Sequence, residues 1–161
     1  MRTLQSNVNL PYLIELAQKT STRRYRLTIV VGRVPAELSH LARSLSQSLQ
    51  GLYVNPVDSL LVVGKSSGAT DSDPSSILGV FDQGDMADWI IRLATNEHTP
   101  FLIFDQIEPL IATFGRSNSI EFFKLASLIE PKIPTIIFTY LEKQIKDANF
   151  PSDRLLNLYQ H

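Results

Sequence analysis

A chain of 161 residues is long enough to bury one core and argues for a single domain, and its 43% hydrophobic content suits a folded globule. The formal net charge of -1 gives no global basic field for nucleic acid, and the absence of cysteine excludes a disulfide framework and a thiolate metal site. Charged residues reach only 19%, below the roughly 25% of an average domain, which fits a surface used for subunit contacts and equally fits ordinary surface drift.

In chain order, residues 1–26 read as an N-terminal helix and a basic linker. Pro11 opens a short helix over 11–17 that would pack over a sheet edge. The basic run Arg23, Arg24, Tyr25, Arg26 is either a solvated linker or a local contact to an acidic partner or a nucleic-acid backbone. Residues 27–161 form one domain. The apolar, β-branched stretch 27–31 predicts a strand covered on both faces and ends on Gly32. A helix over 36–49 follows, with Leu38, Leu41, Leu45 and Leu49 at helical spacing and Gly51 as its stop.

Short strands are predicted at 52–54 and 59–63, a polar loop over 64–76, and a further strand at 77–81. Met86, Trp89, Ile90 and Leu93 define a helix over 85–93. The second strong strand, 101–105, closes on Asp105. Helices at 107–113 and 120–129 flank a turn at 115–118, and 135–139 is the third strong strand. Residues 142–148 are mainly polar, and 154–159 suits a terminal edge strand. Strands alternating with helices predict an α/β three-layer sandwich with a mostly parallel central sheet, whose strand ends at Gly32, Asp105 and Thr139 share one rim.

A phosphate-binding loop at Gly32 would need a glycine-rich turn followed by Lys and Ser or Thr. With Gly32 as the first glycine, Glu37 and Leu38 stand where Gly and Lys belong, and only Ser39 matches. Glu37 there would repel a triphosphate. The Gly64, Lys65, Ser66 tripeptide fails because Ser59 replaces the required earlier glycine. Asp105 has the position of an acid that supports nucleotide-bound Mg²⁺, and any buried strand ending on a carboxylate has the same pattern. Glu108, Asp82 and Asp85 read as solvated or capping carboxylates. His40, His98 and His161 share no metal-ligand spacing, so neither a metal nor a cofactor is expected. Adjacent Phe122 and Phe123 point different ways on a helix. If Phe123 packs on the sheet, Phe122 is available to a partner, the alternative being that both pack inside.

The order of elements over about 27–159 resembles the RecA/KaiC-like branch of phosphate-loop ATPases, especially small members with degenerate nucleotide sites. Residues 27–32 resemble the strand feeding the Walker A loop, residues 101–110 the Walker B strand with its turn, and 120–128, 135–139 and 154–159 the helix and strands that follow. The resemblance implies a RecA-like P-loop NTPase fold, with Gly32, Ser39 and Asp105 at the inherited nucleotide site. A second, weaker resemblance is to the small BrxF proteins of BREX phage-defence systems. The resulting expectation is a catalytically inactive, pseudo-ATPase subunit that binds a protein partner or its own copies. Arg23, Arg24, Arg26 and Phe122 are its candidate partner contacts. The alternatives are a noncanonical or partner-dependent NTPase and an accessory nucleic-acid-binding protein. No apolar run reaches the roughly 18 residues of a spanning helix, and residues 1–9 lack signal-peptide character, so no membrane role and a cytoplasmic location are expected.

Overall fold

The two strongest apolar runs become neighbouring central strands. Leu27–Val31 (β1) and Thr135–Thr139 (β4) are buried along their whole length and pair in parallel, Leu27 opposite Thr135 and Val31 opposite Thr139. The computed structural model describes residues 2–59, 81–96 and 98–158, with side chains from Leu10 onward except that of Asn96. Leu52–Val54 (β2), Leu102–Phe104 (β3) and Leu155–Asn157 (β5) complete a sheet of order β2-β3-β4-β1-β5, and every pairing in it is parallel.

Parallel neighbours require crossovers, and the helices supply them on both faces. Arg2–Thr20 (α1) and Pro35–Leu49 (α2) cover one face, where Leu13, Ala17, Leu38, Leu41 and Leu45 pack with Val30, Ile103 and Phe138. Gln83–Asn96 (α3), Glu108–Ala112 (α4), Arg116–Leu128 (α5) and Glu142–Asp147 (α6) cover the other, around Leu27, Ile29, Phe104 and Ile137. Successive strand residues alternate between these two clusters, as the period of two demands. The result is a mixed α/β fold with a parallel central sheet flanked by helices.

Several boundaries differ from the sequence-based expectation, each for a physical reason. α1 spans Arg2–Thr20, so Pro11 lies inside the helix instead of opening it, and burial of Leu13 and Ala17 against α2 joins this helix to the core. Gly51 is not the left-handed cap of α2. Gln50 takes that conformation (φ 54°), and the Gly51 N–H donates to the Ser46 carbonyl at 2.9 Å. The glycine serves close packing instead, since a Cβ there would lie 3.0 Å from the Phe101 carbonyl oxygen.

Residues 56–59 are helical, so Ser59 does not begin a strand. The rest of the strand expected at 59–63, the loop 64–76 with Lys65 and Ser66, and 77–80 lie outside the described residues. Phe81, the last residue of that second expected strand, is described and is not in a strand. α3 begins at Gln83, where Asp82 and Asp85 cap it reciprocally: each backbone N–H donates to the other's carboxylate, at 3.0 and 2.8 Å. α5 begins at Arg116, so it absorbs most of the expected turn at 115–118. The polar stretch 142–148 forms α6 because Ile145, with Ala148 just after the helix, anchors it to the core. Arg154 stands in a 3-10 turn, Ser152–Arg154, and not in the edge strand it precedes.

Candidate functional site

The chain leaves β1 toward the face carrying α2 and leaves β4 toward the opposite face carrying α6. β1 and β4 are adjacent, so a crevice opens between their carboxyl ends, the place where parallel sheets hold ligands. Gly32 closes its floor, donating from its backbone N–H to the Thr139 carbonyl at 3.1 Å.

The turn after Gly32 is short. Only Arg33 and Val34 separate it from α2, whose first residue, Pro35, has no N–H to offer an anion. Leu38, standing in the motif's lysine position, is 3% exposed and belongs to the core face of α2. It packs directly beneath the glycine: a Cβ on Gly32 would lie 2.8 Å from Leu38 Cδ2 and 3.4 Å from Leu158 Cδ1. Glu37 sits in the first helical turn, where a carboxylate suits the positive end of the helix dipole. Ser39, one residue beyond Leu38, is half-buried and lies 3.5 Å from Gln106 Nε2, at the limit of a hydrogen bond.

Asp105 is 2% exposed and directed to β2, where the Tyr53 hydroxyl donates to its Oδ2 at 2.6 Å. Burial and the adjacent Asp105 carboxylate raise the pKa of the Tyr53 phenol; Arg43, 5.6 Å from the ring centre, works against that shift. The next residue, Gln106, has a left-handed backbone (φ 56°) that redirects the chain over the rim. Glu108, expected to be solvated or capping, stands in the first turn of α4 and is half-buried. Its Oε2 accepts from the Thr139 hydroxyl at 2.6 Å, and that hydroxyl accepts from the Leu141 N–H at 3.2 Å. Burial pushes the Glu108 pKa up, the Thr139 hydrogen bond opposes this, and the charge of Asp105 adds slightly to it.

The rim therefore gathers Gly32, Asp105, Glu108 and Thr139, with Ser39 at its edge through Gln106. Tyr53 and Arg43 were not singled out from the sequence, since a tyrosine in a three-residue strand and an arginine on a helix have no spacing that ties them to Asp105. Thr139 was placed on the rim as a strand terminus without a role. Among the described residues, no group of three or more His, Asp or Glu side chains has the arrangement of a metal site. A cleft of about 550 Å³ lies farther along, beside α6 and β5, lined by Val31, Ile145, Phe150, Leu155 and Asn157, and it contains none of the predicted nucleotide-site residues.

The remaining predicted contacts lie elsewhere. Phe122 is not exposed: both Phe122 and Phe123 are fully buried, their rings 5.2 Å apart, because α5 is covered by the sheet on one side and by α3 and Phe114 on others. Arg23, Arg24 and Arg26 sit at the opposite end of the sheet and are tied into the fold. Arg23 pairs with Asp153 at 3.6 Å, Arg24 with Glu130, and Arg26 donates to the backbone carbonyls of Arg23 and Lys132. These contacts tie the linker to the fold while the Arg24 side chain stays exposed to solvent. No protein-family model matches the chain, and comparison with curated proteins yields no match. No helix among the described residues is long and apolar enough to cross a membrane.

Proposed function

We propose that the chain is a RecA/KaiC-like protein that does not hydrolyse ATP and acts as an interaction or assembly subunit. The observation that carries this reading is the turn after β1, which is three residues long, closed by a proline, and packed onto Leu38 through Gly32. Phosphate cradling needs several inward-pointing amides and a free lysine; this turn leads into a proline, which has no amide to give, and has buried Leu38 in the lysine position. The sheet is compatible with that resemblance: β4 stands between β1, which runs into Gly32, and β3, which runs into Asp105. Titration of ATP with Mg²⁺ into the full chain should give no saturable heat, and micromolar binding overturns the reading. Light scattering on the same sample separates a self-assembling subunit from one that awaits another protein.

A second reading, a partner-dependent NTPase, is favoured by one observation. Glu108 holds a half-buried carboxyl of raised pKa at the crevice, the property of a proton-accepting group. Phosphate release that Glu108→Gln and Asp105→Ala both abolish would establish it, and release indifferent to both rejects it.

A further inference from the structure

We infer that the pole of the sheet where the strands begin is a docking surface for an acidic segment of a partner protein, one that presents a large apolar side chain among its carboxylates. This deepens the reading of the chain as an interaction subunit, and it concerns the end opposite the closed nucleotide turn: the five residues of β1 set the two ends about 16 Å apart.

Charge is gathered at this pole from three stretches of chain. Arg23, Arg24 and Arg26 come from the linker, Lys132 from the connection between α5 and β4, and Arg154 from the turn before β5. Contacts join them into one group: Arg24 to Glu130, Arg23 to Asp153, Arg26 to the Lys132 carbonyl, and Arg154 to the carbonyls of Leu27 (3.4 Å) and Ser127 (2.8 Å). The two carboxylates paired within it, Glu130 and Asp153, leave three of the five cations without an ion pair among the described residues, on a chain whose formal net charge is -1.

Arg154 makes that excess persistent. It is 5% exposed, with its guanidinium 5.1 Å from the ring centre of Tyr25 and 5.3 Å from that of Phe150. Its hydrogen bonds go to carbonyl oxygens and none to a carboxylate, neighbouring Asp153 acts on it through charge alone, and burial lowers its pKa. A fixed positive charge in a low-dielectric setting projects its field to the nearby surface.

Leu128 selects the kind of anion. It is 67% exposed, it follows Ser127, whose carbonyl receives Arg154, and it lies two residues before Glu130, which receives Arg24. A nucleic-acid backbone would satisfy the arginines and leave Leu128 in water. A protein segment with carboxylates around an apolar residue covers both, the usual pattern of an apolar anchor inside a charged rim.

The test is selection from a random dodecapeptide display library against the full chain. The best peptide is then measured by fluorescence anisotropy with the native chain, with Arg24→Glu/Lys132→Glu, and with Leu128→Ser. All three substituted side chains are exposed, and circular dichroism checks that each variant keeps the fold. The selected peptides should be rich in Asp and Glu around a Leu, Ile, Phe or Trp. Charge reversal should weaken binding by about tenfold or more and Leu128→Ser by about fivefold. Enrichment of neutral or basic peptides, unchanged affinity in either variant, or tighter binding of a thymidine oligonucleotide than of the selected peptide overturns the inference. ATP binding by the same preparation would remove the reading of the nucleotide turn while leaving an acidic-peptide result intact, so the two failures are distinguishable.

Discussion

Tyr53 holds Asp105 through a 2.6 Å hydrogen bond, and the carboxylate it holds is almost completely buried. Deleting the hydroxyl removes a donor from a buried acceptor, so Tyr53→Phe should cost about 1–3 kcal/mol in urea unfolding. Asp105→Asn, which keeps an acceptor for the phenol, should cost less than Tyr53→Phe; a larger loss would show that the Asp105 charge itself is needed. Glu108 makes a second prediction, and its sign follows from proton linkage. Burial raises its pKa in the folded chain, so the folded state binds more protons than the unfolded state above the ordinary carboxylate range. Its stabilising contribution is full below the unfolded pKa and is lost as pH rises through the folded one. Glu108→Gln, which keeps an acceptor for Thr139, should therefore gain stability relative to the native chain as pH climbs from the ordinary glutamate range to neutrality. Parallel stability profiles across that window would show that Glu108 does not titrate in this way.

α2 is the element on which the nucleotide question turns. Its leucine stripe was legible in the sequence because an amphipathic helix has one period and one apolar face, and Leu38, Leu41, Leu45 and Leu49 are all buried. That stripe also commits Leu38 to the core, so the lysine position of the motif cannot face a phosphate. Leu38→Lys, which puts a lysine at that position, should lose more than about 3 kcal/mol of stability and gain no affinity for ATP. ATP binding by this variant would mean that the turn can open. α5 taught the opposite lesson. Adjacent phenylalanines on a helix point about 100° apart, and a lone helix would expose one of them. α5 is flanked by the sheet, α3 and Phe114, so its buried face is wide enough for both. α6 was not legible at all, since a short polar helix with a single buried isoleucine has almost no periodic signature.

At the scale of the whole molecule, Arg154 joins parts of the chain that are far apart in sequence: the linker through Tyr25, β1 through the Leu27 carbonyl, and α5 through the Ser127 carbonyl. Arg154→Ala should cost about 3 kcal/mol, because buried carbonyls lose their donor and two rings lose the guanidinium between them. Arg24→Ala, at an exposed ion pair, should leave stability nearly unchanged. Equal losses at the two positions would contradict the distinction drawn between buried and exposed arginines. What the sequence determined by itself was local: three strong strands, the leucine face of α2, an α/β alternation, and the absence of Gly-Lys after Gly32. These follow from periodicity and motif spacing, which are properties of neighbouring residues. Only the tertiary structure decided that Asp105 turns to Tyr53, that Glu108 meets Thr139, that Phe122 is buried, and that the basic linker is strapped to Glu130 and Asp153. Each depends on contacts between residues distant in sequence, and those partners are chosen by strand order and helix packing.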